Sequence, residues 1–196
     1  QKLNSLLETL RHSTPEGTLQ GRAFCDTAPV LERYWAWQCG LGWIGRHTQL
    51  VIPRAGSAFF LGELMLNLPA DAYDAPFPTD RCGTCRRCIE ACPTQALEEG
   101  RGLDARRCLS YLTIENRGGI PEEAAARMYP YFYGCDRCLR ACPHLRSAPP
   151  TTEPAFTPRP ELLQMEEEDW MALDMERYRM LFKGSAVKRA KYEGLI

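Results

Sequence analysis

The chain has 196 residues and a formal net charge of −1, from 24 basic and 25 acidic residues. Hydrophobic residues make up 44% and charged residues 25%, as in an ordinary soluble globular protein of one or two domains. The balanced charge argues against a protein that coats nucleic acid along its whole surface. No run of about twenty apolar residues occurs, so the sequence predicts no membrane span.

The first predicted element is a helix that begins at the start of the chain. Leucines at positions 3, 6, 7 and 10 follow the i, i+3, i+4, i+7 pattern of an amphipathic helix over Lys2–His12. The chain opens on Gln1 rather than Met, and a basic segment near the other end stops at Ile196 without a polar tail. We therefore expect a fragment truncated at both ends.

A carboxylate comes next, between a short strand and a helix. Phe24 and Cys25 indicate a strand end, and Pro29 suits the first turn of a helix that runs to Cys39. Asp26 lies too early to cap that helix well, although a cap or a helix-dipole partner is its ordinary interpretation. A carboxylate at a strand end beside a helix N-terminus is also suited to acid or base catalysis.

Glycines at positions 40, 42 and 45 match the bare G-x-G-x-x-G order of a dinucleotide-binding loop. They come after a predicted helix rather than a strand, so we interpret them as a tight backbone segment instead. Two strands are then predicted at residues 49–53 and 57–61, as interior strands of a mixed sheet. A proline-rich break at residues 68–80 separates this part from the cysteine-rich half of the chain.

The cysteines carry the strongest chemical signal. Residues 82–93 have the spacing C-x2-C-x2-C-x3-C-P of a bacterial ferredoxin-type 4Fe-4S loop, in which the fourth Cys ligates the other cluster. A second copy at residues 135–143 has Phe132 where its first Cys would stand, and Cys108 is the remaining Cys of this half. The resulting assignment gives cluster one the ligands Cys82, Cys85, Cys88 and Cys142, and cluster two the ligands Cys92, Cys108, Cys135 and Cys138.

Two other interpretations of these cysteines are less favoured. Structural zinc uses pairs of similar short spacing but needs neither a third Cys two residues on nor Cys-Pro twice. A disulfide framework would suit a secreted chain, and no secretory signal is present.

Every basic Lys-or-Arg position between residues 81 and 146 is arginine. These arginines have two interpretations that stay open: they compensate the negative charge of thiolate-ligated clusters, or they face phosphate groups. Helices are predicted at residues 89–97 and 104–113 and from Pro121, with an extended connector over 147–160 and a helix within 166–181 after them.

Several separated motifs together resemble the tRNA epoxyqueuosine reductase family, from about Arg22 to about Tyr192. They are D-T-A-P-V-L-E-R at 26–33, G-L-G-W-I-G at 40–45, F-L-G-E-L at 60–64, the double cluster motif, S-Y-L-T-I-E at 110–115 and Y-G-C-D at 133–136. The resemblance implies an α+β fold. Its parts would be a partial corrinoid-binding α/β domain similar to that of reductive dehalogenases (1–68), a linker (69–80), a ferredoxin-like double 4Fe-4S domain (81–146), and a connector with a helical segment that packs back on the body (147–196).

The resemblance also implies a function and a site. The family reduces epoxyqueuosine to queuosine in the tRNA anticodon loop with cobalamin, which receives electrons through the two 4Fe-4S clusters. Asp26 matches the family's proton donor, and Arg117 roughly matches a tRNA contact. Positions that match corrinoid contacts are Asp26, Leu50, Leu61, Ser110, Cys135 and Asp136. We further expect an unidentified electron donor, a cytoplasmic monomer and no membrane association.

The sequence departs from the family pattern at His47, where Asn is usual, and at Arg46, where Lys is usual; the role of His47 stays open. Two alternatives remain at this point. A ferredoxin-type electron-transfer protein would need the cluster motifs but not residues 22–66, and a corrinoid reductase of another substrate would need no arginine-lined approach for RNA.

Overall fold

The computed structural model describes residues 1–195, and the chain in it consists of short helices and short antiparallel strands. The α-helices are α1 (Lys2–His12), α2 (Glu32–Gln38), α3 (Arg87–Glu90), α4 (Leu109–Ile114), α5 (Glu122–Ala125), α6 (Arg137–Ala141), α7 (Pro160–Leu163), α8 (Glu167–Met171) and α9 (Met175–Leu181). The strands are β1 (Gly21–Phe24), β2 (Trp43–Ile44), β3 (Leu50–Val51) and β4 (Glu63–Leu66). Helices of the 3-10 type span Ala105–Arg107, Pro143–Ser147, Pro154–Phe156 and Ala186–Arg189.

These elements form two compact units. Unit 1 comprises residues 1–85 and 142–148, and unit 2 comprises residues 86–141 and 149–196. The domain boundaries expected from the sequence, at residues 68, 80 and 146, remain a prediction.

Unit 1 contains two separate two-stranded antiparallel sheets rather than the predicted mixed sheet. Strand β1 pairs with β4, with Phe24 opposite Glu63, and α1 packs against this pair. Strand β2 pairs with β3, with Trp43 opposite Val51. The strand predicted at 57–61 is therefore wrong. Those residues have no strand partner, because the partner of β1 lies a few residues later in the chain.

The core of unit 1 lies at β2 and β3, where Trp43, Leu50 and Val51 are buried. Gly42 lets the two strands approach, since a Cβ on this residue would overlap the carbonyl oxygen of Val51. The glycine-rich segment thus provides a close strand contact, and its position after α2 agrees with the interpretation against a dinucleotide loop.

Unit 2 is built from short helices around two apolar clusters. One cluster joins α4 and α5 through Leu109, Leu112 and Ala124, and the other lies in the C-terminal segment around Tyr178 and Phe182. The helix predicted over 89–97 is shorter than expected and ends at Glu90, because Pro93 cannot continue it. The helix predicted within 166–181 is broken into α8 and α9, each with its own N-terminal cap.

None of the helices within residues 1–195 has the length and apolar character needed to cross a bilayer.

Candidate functional site

The four thiols assigned to cluster two all lie in unit 2. Cys92 comes after α3, Cys108 is the residue before α4, Cys135 precedes α6, and Cys138 lies within α6. Helices α3 and α6 pack together within unit 2. Because these helices are short, each thiol lies at or near a helix end.

A threonine ties the Cys108 helix to the Cys135 segment. The Thr113 hydroxyl donates to the carbonyl of Leu109 (2.7 Å) and accepts a hydrogen bond from the backbone N–H of Gly134 (2.9 Å). Thr113 is buried, and Gly134 has a positive φ of 74°. The position of Cys135 relative to α4 is thereby held by one buried side chain, which sequence analysis did not single out although it lies in the S-Y-L-T-I-E motif.

Neighbouring thiols contribute to the raised pKa values of Cys135 and Cys138. Burial, and then the neighbouring thiols Cys135, Cys108 and Cys92, raise the pKa of Cys138 to about 12. Burial also raises the pKa of Cys135, with smaller contributions in the same direction from Cys108 and Cys92. Four thiolates in this place would repel one another unless a positively charged centre lay between them. The donor set therefore fits an iron-sulfur cluster.

Backbone N–H groups surround the same sulfurs. The N–H of Ala96 donates to Cys92 Sγ at 3.2 Å, and the backbone at Arg137 and Leu139 bonds to the sulfurs of Cys135 and Cys138 respectively. Donors aimed at sulfur stabilise thiolates and clusters, so this part of unit 2 is suited to hold negative charge.

The thiols assigned to cluster one divide between the two units. Cys82, Cys85 and Cys142 belong to unit 1, whereas Cys88, in α3, belongs to unit 2 and is buried there. In unit 1 the indole N–H of Trp43 donates to Cys82 Sγ at 3.4 Å. Sequence analysis did not assign Trp43 a role.

Asp26 lies in the loop between β1 and α2, where its side chain is exposed. Its φ is 53°, in the left-handed region that only Gly, Asn and Asp visit readily. The backbone N–H of Asp26 donates to the Glu32 carboxylate at 3.0 Å, so the first residue of α2 holds this loop. Burial, and to a smaller extent the charge of Glu32, raise the pKa of Glu63, which lies opposite Phe24 at this end of the β1–β4 pair.

The other residues expected to contact a corrinoid are in different environments. Leu50 is buried in β3, and Leu61 is half-buried just before β4. In unit 2, Ser110 is half-buried in α4, and Asp136 is exposed immediately before α6. Three of the six expected contacts lie in unit 1 and three in unit 2.

His47, whose role the sequence left open, is buried between the β2 and β3 strands. Its Nδ1 accepts a hydrogen bond from the Gln49 N–H at 3.2 Å, whereas Nε2 is buried without a hydrogen-bond partner among residues 1–195. Burial, and to a smaller extent the charge of His144, lower the pKa of His47 to about 4. The ring is therefore neutral at neutral pH and carries its proton on Nε2.

Many of the arginines make local contacts that the sequence did not predict. Arg86 pairs with Glu99, Arg127 with Glu123 (3.4 Å) and Arg106 with Asp104 (2.9 Å). Arg117 donates to the carbonyls of Ile114 (3.1 Å) and Arg189 (2.9 Å). A guanidinium has five N–H donors, so Arg117, which is exposed, keeps donors for a further partner.

Comparison with known proteins places these features in a family context. Residues 81–144 match the model of a 4Fe-4S double cluster binding domain. The chain is 44% identical over 194 residues to an epoxyqueuosine reductase of Cellulophaga algicola, and the match covers 99% of the chain and 62% of that protein. It is also 44% identical over 172 residues to the epoxyqueuosine reductase of Escherichia coli, covering 88% of the chain and 45% of that protein.

The chain resembles the epoxyqueuosine reductases throughout. A crystal structure of an epoxyqueuosine reductase with an epoxyqueuosine-modified tRNA-Tyr stem loop matches 92% of the chain at a TM-score of 0.82 and 29% identity. A selenomethionine-labelled epoxyqueuosine reductase matches 95% of the chain at a TM-score of 0.86 and 28% identity. The chain spans 45% to 62% of the length of these epoxyqueuosine reductases. The resemblance and the α+β fold class expected from the motifs are thereby confirmed.

Proposed function

We propose that this chain is part of an enzyme that reduces epoxyqueuosine to queuosine in a tRNA anticodon loop. The single observation that carries the proposal is the 44% identity to an epoxyqueuosine reductase across 99% of the chain. A plain ferredoxin would not account for unit 1, whose β1–β4 pair, α2 and Asp26 loop precede the first cysteine motif. The match outside the cluster domain therefore favours the reductase over electron transfer alone.

The cluster ligands are proposed as the sequence assigned them. Cluster two would be held by Cys92, Cys108, Cys135 and Cys138. These four thiols lie in unit 2, and Cys92 and Cys108 contribute to the raised pKa values of Cys135 and Cys138. Cluster one would be held by Cys82, Cys85, Cys88 and Cys142, which rests on the spacing of the motif. Electrons from a donor of unknown identity would pass through these clusters one at a time.

A bound cobalamin would supply the two-electron chemistry at the substrate. The residues proposed to contact it are Asp26, Leu50, Leu61, Ser110, Cys135 and Asp136. Opening the epoxide and releasing its oxygen as water consumes two electrons and two protons and leaves a carbon–carbon double bond. Asp26 would supply one of these protons from its carboxyl group to the epoxide oxygen, which requires the acid to be protonated when substrate is bound.

The RNA contact is proposed at Arg117. This residue is exposed, and its guanidinium is already oriented by two backbone carbonyls, which favours recognition of a phosphate by its remaining donors. The proposal includes a cytoplasmic monomer, since the substrate would be a cytoplasmic tRNA.

The decisive experiment is anaerobic reconstitution with iron, sulfide and cobalamin, and then nucleoside analysis of tRNA that carries epoxyqueuosine. Queuosine should form only with a reductant and with both cofactors. If no queuosine formed with both clusters and the corrinoid fully bound, the proposed substrate would be wrong, and a corrinoid reductase of another substrate would be the remaining interpretation.

A further inference from the structure

Trp43 directs its only polar atom at a cysteine sulfur. The indole Nε1–H donates to Cys82 Sγ at 3.4 Å, within unit 1. Trp43 is 3% exposed, so water does not compete for this N–H. A buried indole N–H needs an acceptor, and here the acceptor is a residue of the first cysteine motif.

The tryptophan ring is held on several sides. Its backbone lies in β2, opposite Val51 of β3, and Gly42 permits the close approach of these strands. The ring meets His144 edge-on at a centroid distance of 4.9 Å, and Phe77 lies at 5.8 Å. These contacts leave the indole little freedom to turn its N–H away from the sulfur.

The cysteine loop is fixed from its own side as well. The Cys82 N–H donates to the Asp80 carboxylate at 2.8 Å, and the Cys85 N–H donates to the Cys82 carbonyl at 3.0 Å. Arg46, from the turn after β2, donates to the carbonyl of Gly83 at 2.9 Å. Both partners of the N–H···S bond are therefore anchored to the same short sheet and its connections.

We propose that Trp43 is a positioning residue that sets the reduction potential of cluster one through its hydrogen bond to Cys82. The proposal rests on the proposed assignment of Cys82 as a ligand of that cluster. When the cluster gains one electron, its sulfurs become more negative, and the N–H···S bond strengthens while the proton stays on nitrogen. No bond is broken, so the effect is purely electrostatic and favours the reduced state.

The test replaces Trp43→Phe, which keeps an aromatic ring in the site but removes the N–H. Trp37→Phe is the matched control, because the Trp37 indole N–H donates at 3.0 Å to a carbonyl, that of Phe77, rather than to sulfur. Both variants and the wild type are reconstituted and titrated with reductant while EPR monitors the clusters. In Trp43→Phe the reduction potential of one of the two clusters should fall by about 59 mV. For a one-electron couple this corresponds to about a tenfold lower ratio of reduced to oxidised cluster at a fixed potential.

Two outcomes would overturn the proposal. The first is an unchanged pair of potentials in Trp43→Phe at full iron content, or an equal shift in Trp37→Phe. The second is measured on the wild type, so that it can be tested even if the variant loses its cluster. The protein is labelled with 15N-indole tryptophan, and pulsed EPR of the reduced protein should show a coupling between the cluster and 15N. Absence of this coupling would show that Trp43 does not bond to the cluster. A wild-type protein that binds no cluster at Cys82 would instead refute the proposed ligand assignment itself.

Discussion

Asp26 shows how one residue combines a backbone role with a proposed chemical role. Its φ of 53° places it where most side chains are strained by about 1 kcal/mol, and Asp tolerates this conformation better than most. Glu32 holds the loop by accepting a hydrogen bond from the Asp26 N–H.

We predict that Asp26→Asn lowers queuosine formation by about 10²-fold or more, because Asn cannot supply the proton at the epoxide oxygen. Asn also tolerates the left-handed conformation, so the cluster and corrinoid spectra should be unchanged. Product formation is measured by mass spectrometry of tRNA nucleosides. Asp71→Asn, in the exposed stretch after β4, is the matched control, and turnover of Asp26→Asn at the control's rate would remove Asp26 from the mechanism.

His47 provides a prediction about stability and pH. Its pKa is lowered to about 4 in the folded chain against an ordinary value of 6.5, so below pH 6.5 the unfolded state binds more protons than the folded state. The contribution of the buried neutral ring to the free energy of unfolding is thus fully present above pH 6.5. It is lost progressively as the pH falls from 6.5 towards 4.

The free energy of unfolding in urea should therefore fall by about 2 kcal/mol more in the wild type than in His47→Asn between about pH 7 and pH 5. Asn keeps an oxygen that can accept from the Gln49 N–H but does not titrate in this range. The comparison is between the pH dependences of the free energy of unfolding of the two proteins. It therefore cancels the constant loss of stability caused by the smaller Asn side chain and any acid sensitivity that both proteins share. Parallel pH profiles would show that His47 does not titrate differently in the two states.

At the scale of elements, the short strands β2 and β3 organise much of unit 1. They bury Trp43, Leu50 and Val51, and the turn between them carries Arg46 and His47. Gly56, with a φ of 77°, lies against Leu145 of the 3-10 helix that comes after Cys142. Gly42 thus lets the Trp43 strand lie close to β3, and Gly56 lets the turn after β3 lie close to the segment that follows Cys142.

We predict that Gly42→Ala destabilises the protein by about 1–3 kcal/mol, because the added Cβ overlaps the Val51 carbonyl oxygen and forces β2 away from β3. Gly100→Ala is the matched control, since a Cβ there meets nothing within 4 Å. Thermal unfolding monitored by circular dichroism measures both. Equal midpoints for the two variants would show that the strands separate without cost.

A second feature at this scale is Phe132, which stands at the position where the second cysteine motif lacks its first Cys. Phe132 packs against Trp170 of α8 with tilted rings at a centroid distance of 4.2 Å, and Trp170 in turn stacks on Phe182 of the C-terminal cluster. Tyr133 donates to the carbonyl of Ala186 at 2.8 Å. The segment that would have carried a ligand in a plain ferredoxin instead contacts the C-terminal helices, within unit 2.

At the scale of the whole molecule, the two units carry different shares of the proposed chemistry. Unit 2 contains the complete set of thiols proposed for cluster two, whereas unit 1 contains Asp26 and three of the thiols proposed for cluster one. Cys108 is the residue through which α4 joins the cysteine motifs. Its removal therefore tests the grouping of all eight ligands.

We predict that Cys108→Ala binds about half the iron of the wild type, because cluster two loses its ligand while the four ligands of cluster one remain. Iron and acid-labile sulfide are measured after anaerobic reconstitution. Cys39→Ala is the control, since Cys39 is exposed and lies outside both motifs. An unchanged iron content in Cys108→Ala would refute the grouping, as would a loss of iron in the control.

Much of the site's composition could be predicted from the sequence. The spacing of the cysteines depends on residues a few positions apart, and α1 is predicted by a leucine period within eleven residues. The separated motifs carried the family resemblance, which the comparisons confirmed. Local patterns of this kind need no knowledge of distant contacts.

What only the tertiary structure decided depends on residues far apart in the chain. The partner of β1 is β4, about forty residues away, and no local pattern distinguished it from the apolar run at 57–61. The same holds for Trp43 and Cys82, and for Thr113 and Gly134. The sequence alone determined which residue types could bind iron and transfer a proton. The fold decided which N–H groups and buried surfaces meet those residues, because hydrogen bonding and desolvation act between neighbours in space.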